Sequence, residues 1–273
     1  MRRRTFFLLL AGAPGLAARS VTVKLRSRVE IFKGSGQWRE AGFSYPLPLD
    51  RTAAVICDMW DKHWCRGATL RVGRLVERME PFLGKLRSHG VLIVHAPSET
   101  MAFYGAAPQR QAILAMPVIT PPSPLALSDP ALPVDSSDGG CDTGDKFYKA
   151  WSREHPGLTI GPGDLISDDG REIYNALKLR GITTLLVMGV HTNMCILNRS
   201  FAIRQMTKWG IKCILVRDLT DAMYDPKDKP YVSHNAGTDL VIEHIEKYWA
   251  PTSLSTDILA ALETSGSAPP PAR

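Results

Sequence analysis

Several familiar signatures are missing from this chain of 273 residues. None of its five cysteines forms a Cys-x-x-Cys pair, which argues against a zinc ribbon and a thioredoxin motif. No internal repeat is evident, and no apolar run reaches the roughly 20 residues that a membrane-spanning helix needs. Because 44% of the residues are hydrophobic, the chain can still bury a sizeable core, and we expect one large domain without a membrane anchor.

A strong charge of one sign is also lacking once the N-terminus is set aside. The formal charge of +6 reflects 33 basic and 27 acidic residues, and three of the basic ones are Arg2, Arg3 and Arg4. Removing these three from 33 leaves 30 basic against 27 acidic residues, and an excess of 3 is too small for a nucleic-acid footprint. No basic stripe is interleaved with aromatic residues. We therefore expect no nucleic-acid partner.

The first 18 residues have the order of a secretory signal. The three arginines come first, an apolar run follows over residues 6–10, and small residues dominate 11–18. Arg3, Arg4 and the following Thr-Phe-Phe also resemble a twin-arginine export signal. We expect a bacterial protein exported to the periplasm or the medium; the alternative is a basic cytoplasmic N-terminus followed by a buried strand.

Apolar runs and amphipathic stretches alternate along the rest of the chain. The runs at 53–57, 91–94, 185–188 and 213–216 suit strands buried on both faces of a parallel sheet, and helical periodicity covers 70–86, 171–179, 196–209 and 238–249. This alternation predicts an α/β fold with a doubly wound sheet and helices on both faces. The ligand site should lie beyond the carboxyl ends of the strands.

The predicted organisation is one domain with extensions. Residues 1–18 form the signal peptide, 19–49 an N-terminal extension containing a strand or hairpin, 50–262 the α/β domain, and 263–273 a disordered tail. Segment 117–151 is rich in proline, serine, aspartate and glycine, and it is long for a plain connection. We expect it to cover the ligand site.

The cysteines differ in their sequence surroundings. Cys57 and Cys213 lie in apolar, strand-like runs, whereas Cys65 and Cys141 lie in polar segments that contain glycine. In an exported protein Cys65 and Cys141 are therefore the candidates for a disulfide; five free thiols are the alternative, because sequence fixes no distances.

Two strand ends carry groups that suit chemistry. Asp58 closes the apolar strand at 53–57, and Cys195 follows the strand at 185–188 and a short turn, at the start of a predicted helix. A helix N-terminus favours a thiolate, and a nearby carboxylate can take the thiol proton. The sequence therefore predicts Cys195 as nucleophile and Asp58 as base.

Over residues 50–260 the sequence resembles the isochorismatase-like cysteine hydrolases, which include nicotinamidases and N-carbamoylsarcosine amidases. The resemblance rests on two motifs and their order: Asp58 with Met59 at a strand end, then Gly189, Val190, Thr192 and Cys195. Further matches are the strand 214–218 with Thr220 and Asp221, and His234 near the start of the last helix.

The resemblance implies a six-stranded parallel sheet and a triad of aspartate, lysine and cysteine. It also implies a cis peptide between Val190 and His191, which directs the backbone N–H groups of His191 and Cys195 at an oxyanion.

The triad lysine is absent from its expected place, where the chain reads Asp-Leu-Ile-Ser-Asp-Asp over residues 164–169. The candidates to replace it as a cation are Lys62, His63, His191, Lys146 and Lys149. Arg199 and Arg204, on the helix predicted after Cys195, are expected to make structural salt bridges instead.

The metal motif of nicotinamidases, Asp-x-His plus a further histidine, is also missing, because His95 stands alone after the second strand. We therefore expect neither a metal nor another cofactor. Trp60, His63, His95 and Asn193 lie near the two strand ends and are the predicted substrate contacts.

The expected activity is hydrolysis of a small amide, ureide or carbamoyl compound. The alternatives are a non-catalytic binding protein that lost turnover with the lysine, and enol-ether hydrolysis, which the presence of Cys195 disfavours. A homo-oligomer is the default expectation, because members of the superfamily are often oligomeric.

Export is testable on protein from the native host. Because the basic, apolar and small regions follow one another over residues 1–18, we expect a mature chain that begins near Arg19. Intact-mass analysis and N-terminal peptide mapping measure this. A soluble cytoplasmic chain that retains Met1 would contradict it.

Overall fold

The structure is a computed structural model that describes residues 19–266. The predicted signal peptide and residues 267–273 lie outside this range. An N-terminal hairpin is followed by alternating strands and helices: β1 (Ser20–Glu30), β2 (Trp38–Pro48), β3 (Thr52–Cys57), α1 (Arg66–Ser88), β4 (Leu92–Ala96), α2 (Pro108–Leu114), β5 (Leu165–Ile166), α3 (Gly170–Leu179), β6 (Thr184–Val190), α4 (Cys195–Asn198), α5 (Ile203–Lys208), β7 (Lys212–Asp221), α6 (His234–Tyr248), β8 (Thr252–Ser253) and α7 (Ser255–Gly266). No helix in residues 19–266 is long and apolar enough to cross a bilayer.

One mixed sheet of eight strands organises the fold, in the order β2-β1-β8-β7-β6-β3-β4-β5. The neighbours from β8 to β5 run parallel, whereas β1 pairs antiparallel with both β2 and β8. The predicted α/β class is confirmed, but the sheet is larger and of mixed direction. The difference arises because β1 joins the sheet edge opposite Thr252, so the hairpin is part of the sheet and not a separate addition.

The core lies on both faces of the sheet. Every residue of β3 and β6 is buried, as their continuous apolar runs predict. Alternate residues of β3 face different clusters: Val55 packs with α3, α5 and α6, and Ile56 packs with α1 and α7. Helices on both faces therefore fix the sheet, and the carboxyl ends of β3, β4 and β6 meet at one edge.

The predicted helix over 196–209 is wrong in one important respect. It is two short helices, α4 and α5, separated at Arg199, whose backbone is extended with ψ of 149°. The break has a tertiary cause, because the Ser200 hydroxyl accepts a hydrogen bond from Gly170 N at 2.9 Å, at the start of α3. The helix ends there and turns the Arg199 side chain toward the sheet edge.

Two predicted boundaries also change. The predicted disordered tail begins at 263, but α7 continues to Gly266. Residues 115–164 contain neither helix nor strand apart from a single bridge, so the predicted cover loop 117–151 belongs to a longer irregular segment. Its first part runs beside α5, where Leu125 N donates to Lys208 O, and its last part reaches the ends of β3 and β6.

Gly189 in β6 is the tightest point of the sheet near this edge. Its φ is +110°, and a Cβ there would lie 2.1 Å from the carbonyl oxygen of Cys57 in β3. Only glycine allows β3 and β6 to approach this closely. The close approach of the two strand ends therefore requires glycine at position 189.

We expect Gly189→Ala to destabilise the fold by about 4 kcal/mol or more, because backbone of a central strand must move. Soluble yield and thermal melting measure the loss. Gly73→Ala in α1 is the matched control: its Cβ would meet nothing within 4 Å, so it should be neutral or stabilise by up to about 1 kcal/mol. Equal melting temperatures for Gly189→Ala and the unmodified protein would contradict this account.

Candidate active site

Asp58 lies directly after β3 with φ of +50°, and its side chain is buried. One carboxylate oxygen accepts a hydrogen bond from Ser98 N at 2.8 Å, and the other accepts one from Arg199 Nε at 2.8 Å. The Cys195 thiol lies beside this carboxylate and interacts with it electrostatically. Asp58 is therefore held between a backbone N–H group, a guanidinium and a thiol.

Cys195 is the first residue of α4 and is partly exposed, whereas Cys57, Cys65, Cys141 and Cys213 are buried. Burial and the charge of Asp58 raise the pKa of the Cys195 thiol far above its usual value, although Arg199 and the backbone N–H of His191 oppose the rise. The predicted lowering by a helix N-terminus is wrong, because burial and the neighbouring carboxylate raise the pKa, and α4 has only four residues. The resting thiol is therefore protonated.

The pKa of Asp58 is set by opposing effects. Burial raises the pKa of the carboxyl group, and Arg199, Cys195 and Ser98 lower it, with a net rise above the usual value. A carboxylate with a raised pKa is a better proton acceptor than an exposed one. The pair thus consists of a neutral thiol and a carboxylate that can take its proton.

Arg199 supplies the cation that the sequence places elsewhere. Besides Asp58, its guanidinium lies 3.5 Å from Glu99, and its side chain is 30% exposed. Arg199 does make a salt bridge, as predicted, but the partner is the candidate base. The signal in the sequence is an arginine four residues after Cys195, which cannot be distinguished there from an arginine on a helix surface.

The five cations considered from the sequence are not at Asp58. Lys149 Nζ donates to Glu99 O at 3.2 Å, Lys62 lies over the ring of Tyr148, and Lys146 is exposed. Burial, followed by the charge of Arg71, lowers the pKa of His63 to about 4. Burial, followed by the charge of His63, lowers that of His191 to about 3. Both histidines are therefore neutral at physiological pH.

The turn between β6 and α4 contains the cis peptide bond Val190–His191. After it, Met194 N and Ile196 N both donate to the carbonyl oxygen of His191, at 3.0 and 3.1 Å, and Thr192 N donates to Asp221 O. The backbone N–H of His191 faces the Cys195 sulfur. The turn thus presents a backbone donor beside the candidate nucleophile.

A stack of flat rings forms one wall of the site. Trp60 stacks on Trp151 with ring centres 4.4 Å apart, and His63 lies 5.9 Å from Trp151 in a nearly parallel orientation. His63 also meets the ring of His191 edge-on at 4.9 Å. Trp60 and His63 are the predicted contact residues, whereas Trp151 comes from the irregular segment and was not predicted.

Two buried polar atoms in this wall have no hydrogen-bond partner among residues 19–266. They are Nε2 of His191 and Nε1 of Trp151. A buried polar group without a partner costs about 1–3 kcal/mol, so such groups are rare unless a ligand or water completes them. Both rings contact His63, which places the two atoms around one small region.

Two other predicted substrate contacts have structural roles instead. His95 is fully buried, with Nδ1 2.7 Å from Glu154 and Nε2 3.0 Å from Asp164. The side-chain amide of Asn193 donates from Nδ2 to Met223 O, and its Oδ1 accepts from Met223 N, both at 2.8 Å. Because the protein already occupies these polar atoms, neither His95 nor Asn193 is positioned to contact a substrate.

The second cluster of charges lies behind His191. Asp221, at the end of β7, is paired with His234 at 2.9 Å and with Arg71 at 2.8 Å, and Arg71 continues to Asp142 at 2.6 Å. Asp142 follows Cys141, whose sulfur lies beside that of Cys65. Both cysteines are free thiols here, although the predicted pair is brought together.

Comparison with solved structures identifies the fold. A cysteine hydrolase from Pseudomonas syringae pv. phaseolicola matches at a TM-score of 0.53 with 18% identity, covering 81% of this chain and 96% of that one. An isochorismatase family protein from Burkholderia thailandensis matches at 0.47, with 18% identity over 78% and 96%. An N-carbamoylsarcosine amidase from Thermoplasma acidophilum matches at 0.42, with 14% identity over 75% and 96%.

At these identities the likeness shows the fold alone, and the first structure carries it. No protein-family model and no curated protein matches the sequence.

The His95 ion-pair network predicts a pH-dependent stability. Burial alone would lower the pKa of His95, but Glu154 and Asp164 outweigh it and raise the pKa from 6.5 to about 9. Because the folded state binds this proton more tightly, its stabilising contribution is complete below pH 6.5 and is lost as the pH rises through about 9. Melting temperatures measured from pH 6 to about 10 should fall across this window.

His95→Gln should lower the melting temperature at pH 6 and flatten this fall, because two buried carboxylates lose their shared cation. His89→Gln, at the end of α1 and outside this network, is the control and should preserve the wild-type profile. A wild-type melting temperature that is constant over the window would refute the assignment.

Proposed function

We propose that this chain, which has the isochorismatase-like hydrolase fold, is a cysteine hydrolase that cleaves a C–N bond of a small amide, ureide or carbamoyl compound. The observation that carries the proposal is the position of the Cys195 thiol beside the buried Asp58 carboxylate, with Arg199 Nε 2.8 Å from the same carboxylate. Nucleophile, base and cation are thus in contact.

In the first half of the reaction Asp58 takes the thiol proton while the Cys195 sulfur attacks the substrate carbonyl carbon. The N–H groups of His191 and Cys195 stabilise the oxyanion that forms. Asp58 then returns the proton to the leaving nitrogen, and the C–N bond breaks. In the second half Asp58 activates water, which attacks the acyl group, and the product acid leaves Cys195 as a thiol.

Arg199 balances the negative charge of the Asp58–Cys195 pair while the proton moves from the thiol to the carboxylate. Before transfer the negative charge lies on Asp58, and afterwards it lies on the sulfur, so Arg199 balances one negative charge throughout. Its pKa is above the usual range, because Asp58 and Cys195 outweigh the effect of burial, and it stays protonated at every working pH. This is the role that the absent lysine leaves open.

The ring wall suits a flat, uncharged substrate. Trp60, Trp151 and the neutral His63 offer ring faces, and Nε2 of His191 and Nε1 of Trp151 are the unpaired polar atoms that such a substrate would engage. Placement outside the cytoplasm and self-association remain part of the proposal as expectations from the sequence.

The test combines thiol labelling with turnover of a panel of small amides, ureides and carbamoyl compounds. We expect iodoacetamide to label Cys195 before Cys57 and Cys213, and Cys195→Ser to abolish turnover. Asp58→Asn should reduce turnover by about a thousandfold, because the base is lost.

Arg199→Ala should lower the rate at neutral pH by about a hundredfold, because Asp58, without its cation, is protonated more readily. The rise of rate with pH should therefore shift to higher pH, by about one unit or more. Arg204→Ala, in α5, is the matched control: its guanidinium pairs with Asp129 of the irregular segment at 2.6 Å, and the change should alter the rate less than about twofold.

Faster labelling of Cys57 or Cys213 than of Cys195 would overturn the proposal. Selective labelling of Cys195 with no turnover of any panel compound that depends on it would instead favour the non-catalytic binding protein.

A further inference from the structure

Two thiols meet where the irregular segment crosses the start of α1. Cys65 is the residue before α1, and Cys141 belongs to the segment that continues to Trp151. Their sulfur atoms lie within 4.8 Å of each other, and both contact the hydroxyl of Thr143, at 3.4 and 3.5 Å. A disulfide requires the two sulfur atoms to approach from this separation to about 2.0 Å.

The backbone next to the cysteine pair is closely packed against neighbouring parts of the protein. A Cβ at Gly140, whose φ is +65°, would lie 2.4 Å from Met223 O, so the segment presses against the end of β7 at this point. Cys65, Ala68, Cys141 and Met223 form a small hydrophobic cluster separate from the main cores. Trp64 and Met194, the neighbours of His63 and Cys195 in the chain, pack against that cluster.

We propose that Cys65 and Cys141 are a reversible disulfide site, and that the bond between them restrains the segment over the active site and slows access to Cys195. The proposal does not depend on the hydrolase activity, because both the bond and the reactivity of Cys195 can be measured on the protein without a substrate.

The surroundings favour a disulfide over a metal ion. Asp142 is the third group near the two sulfurs, but its carboxylate already binds Arg71 through both oxygens, at 2.6 and 3.3 Å. A divalent cation there would have to displace the guanidinium or share the carboxylate with it. Two neutral thiols that form a covalent bond require no change in charge.

The reaction is an exchange with a low-molecular-weight disulfide as oxidant. Hydrogen bonds lower the pKa of the Cys141 thiol in spite of its burial, so Cys141 attacks first. It forms a mixed disulfide and expels one thiolate of the oxidant. Cys65 then attacks the Cys141 sulfur and expels the second. The two protons lost by the cysteines leave with the two released thiols, and the cysteines are oxidised by two electrons.

The link to the active site runs through the eleven residues after Cys141. Phe147 meets Trp64 edge-on at 5.7 Å, Ser152 donates from N and Oγ to Asp61 at 3.0 and 2.6 Å, and Trp151 stacks on Trp60. A ligand that enters between Trp151 and the strand ends must loosen these contacts. A covalent bond at Cys141 shortens the part of the segment that can move and makes such opening rarer.

The bond itself is tested on full-length Cys195→Ser, which removes the competing nucleophile. After incubation with glutathione disulfide, we expect a mass lower by two hydrogen atoms and one unreduced tryptic species that joins Cys65 to Cys141. Dithiothreitol should restore the original mass. Cys65→Ala and Cys141→Ala should each give a glutathione adduct at the remaining cysteine, because the second exchange has no partner.

The effect on access is tested with iodoacetamide on protein that retains Cys195. Alkylation of Cys195 should be about tenfold slower after oxidation than after reduction, in line with rarer opening of a restrained segment. Oxidised protein is first shown by intact mass to carry no glutathione on Cys195. The double variant Cys65→Ala with Cys141→Ala, treated and checked in the same way, is the control: oxidant should leave its alkylation rate unchanged, and its melting temperature should show that it is folded.

Three results would overturn the proposal. One is the absence of a Cys65–Cys141 species at any glutathione disulfide concentration. Another is an oxidised protein in which Cys195 reacts as fast as in the reduced one. The third is a stoichiometric zinc ion, found by mass spectrometry, that protects both thiols, which would make the pair a metal site.

Discussion

The ion pair between Arg199 and Asp58 is the contact on which the candidate active site depends. Asp58 is fully buried at the end of β3, where an unpaired carboxylate would be neutralised by protonation. Arg199 reaches it because the chain leaves its helical path at residue 199, and that break is fixed by Ser200 against the start of α3. A local irregularity of the backbone thus determines the charge state of the base.

The surroundings of this pair are kept neutral by burial. His63 and His191 lie next to one another and near Arg71, so a proton on either ring would add a positive charge in a poorly solvated place. Their low pKa values leave two uncharged rings beside Trp60 and Trp151. The positive charge that acts on the sulfur is therefore that of Arg199.

Parts of the fold that sequence predicts well are those that depend on local periodicity. Strands β3 and β6 appear as continuous apolar runs, and α1 shows its buried face through Val72, Leu75 and Met79. Strands β5 and β8 have two residues each and leave no pattern. The sequence brings Asp58 and Cys195 to adjacent strand ends because parallel strands share an edge.

The remaining site residues depend on contacts between distant parts of the chain. Arg199 meets Asp58 across 141 positions, and His95 meets Glu154 and Asp164 across 59 and 69. Trp151 stacks on Trp60 from a segment without regular structure. Local sequence patterns do not reveal such pairings. Arg199 therefore looks like an arginine on a helix surface, and His95 looks like a substrate contact at a strand end.

Three buried aspartates differ in how their surroundings set the carboxyl pKa: Asp58 follows β3, Asp164 precedes β5 and Asp221 ends β7. Asp164 is paired with Arg87 and His95, and Asp221 with Arg71 and His234; in both, these partners outweigh burial and the pKa is lowered. Asp58 has one cation and a thiol, and burial prevails, so its pKa is raised. Two basic partners each hold Asp164 and Asp221 in the charged form and make them structural anchors, whereas deeper burial beside one guanidinium leaves Asp58 able to accept a proton. The depth of burial and the number of basic partners therefore distinguish the candidate base from its two neighbours.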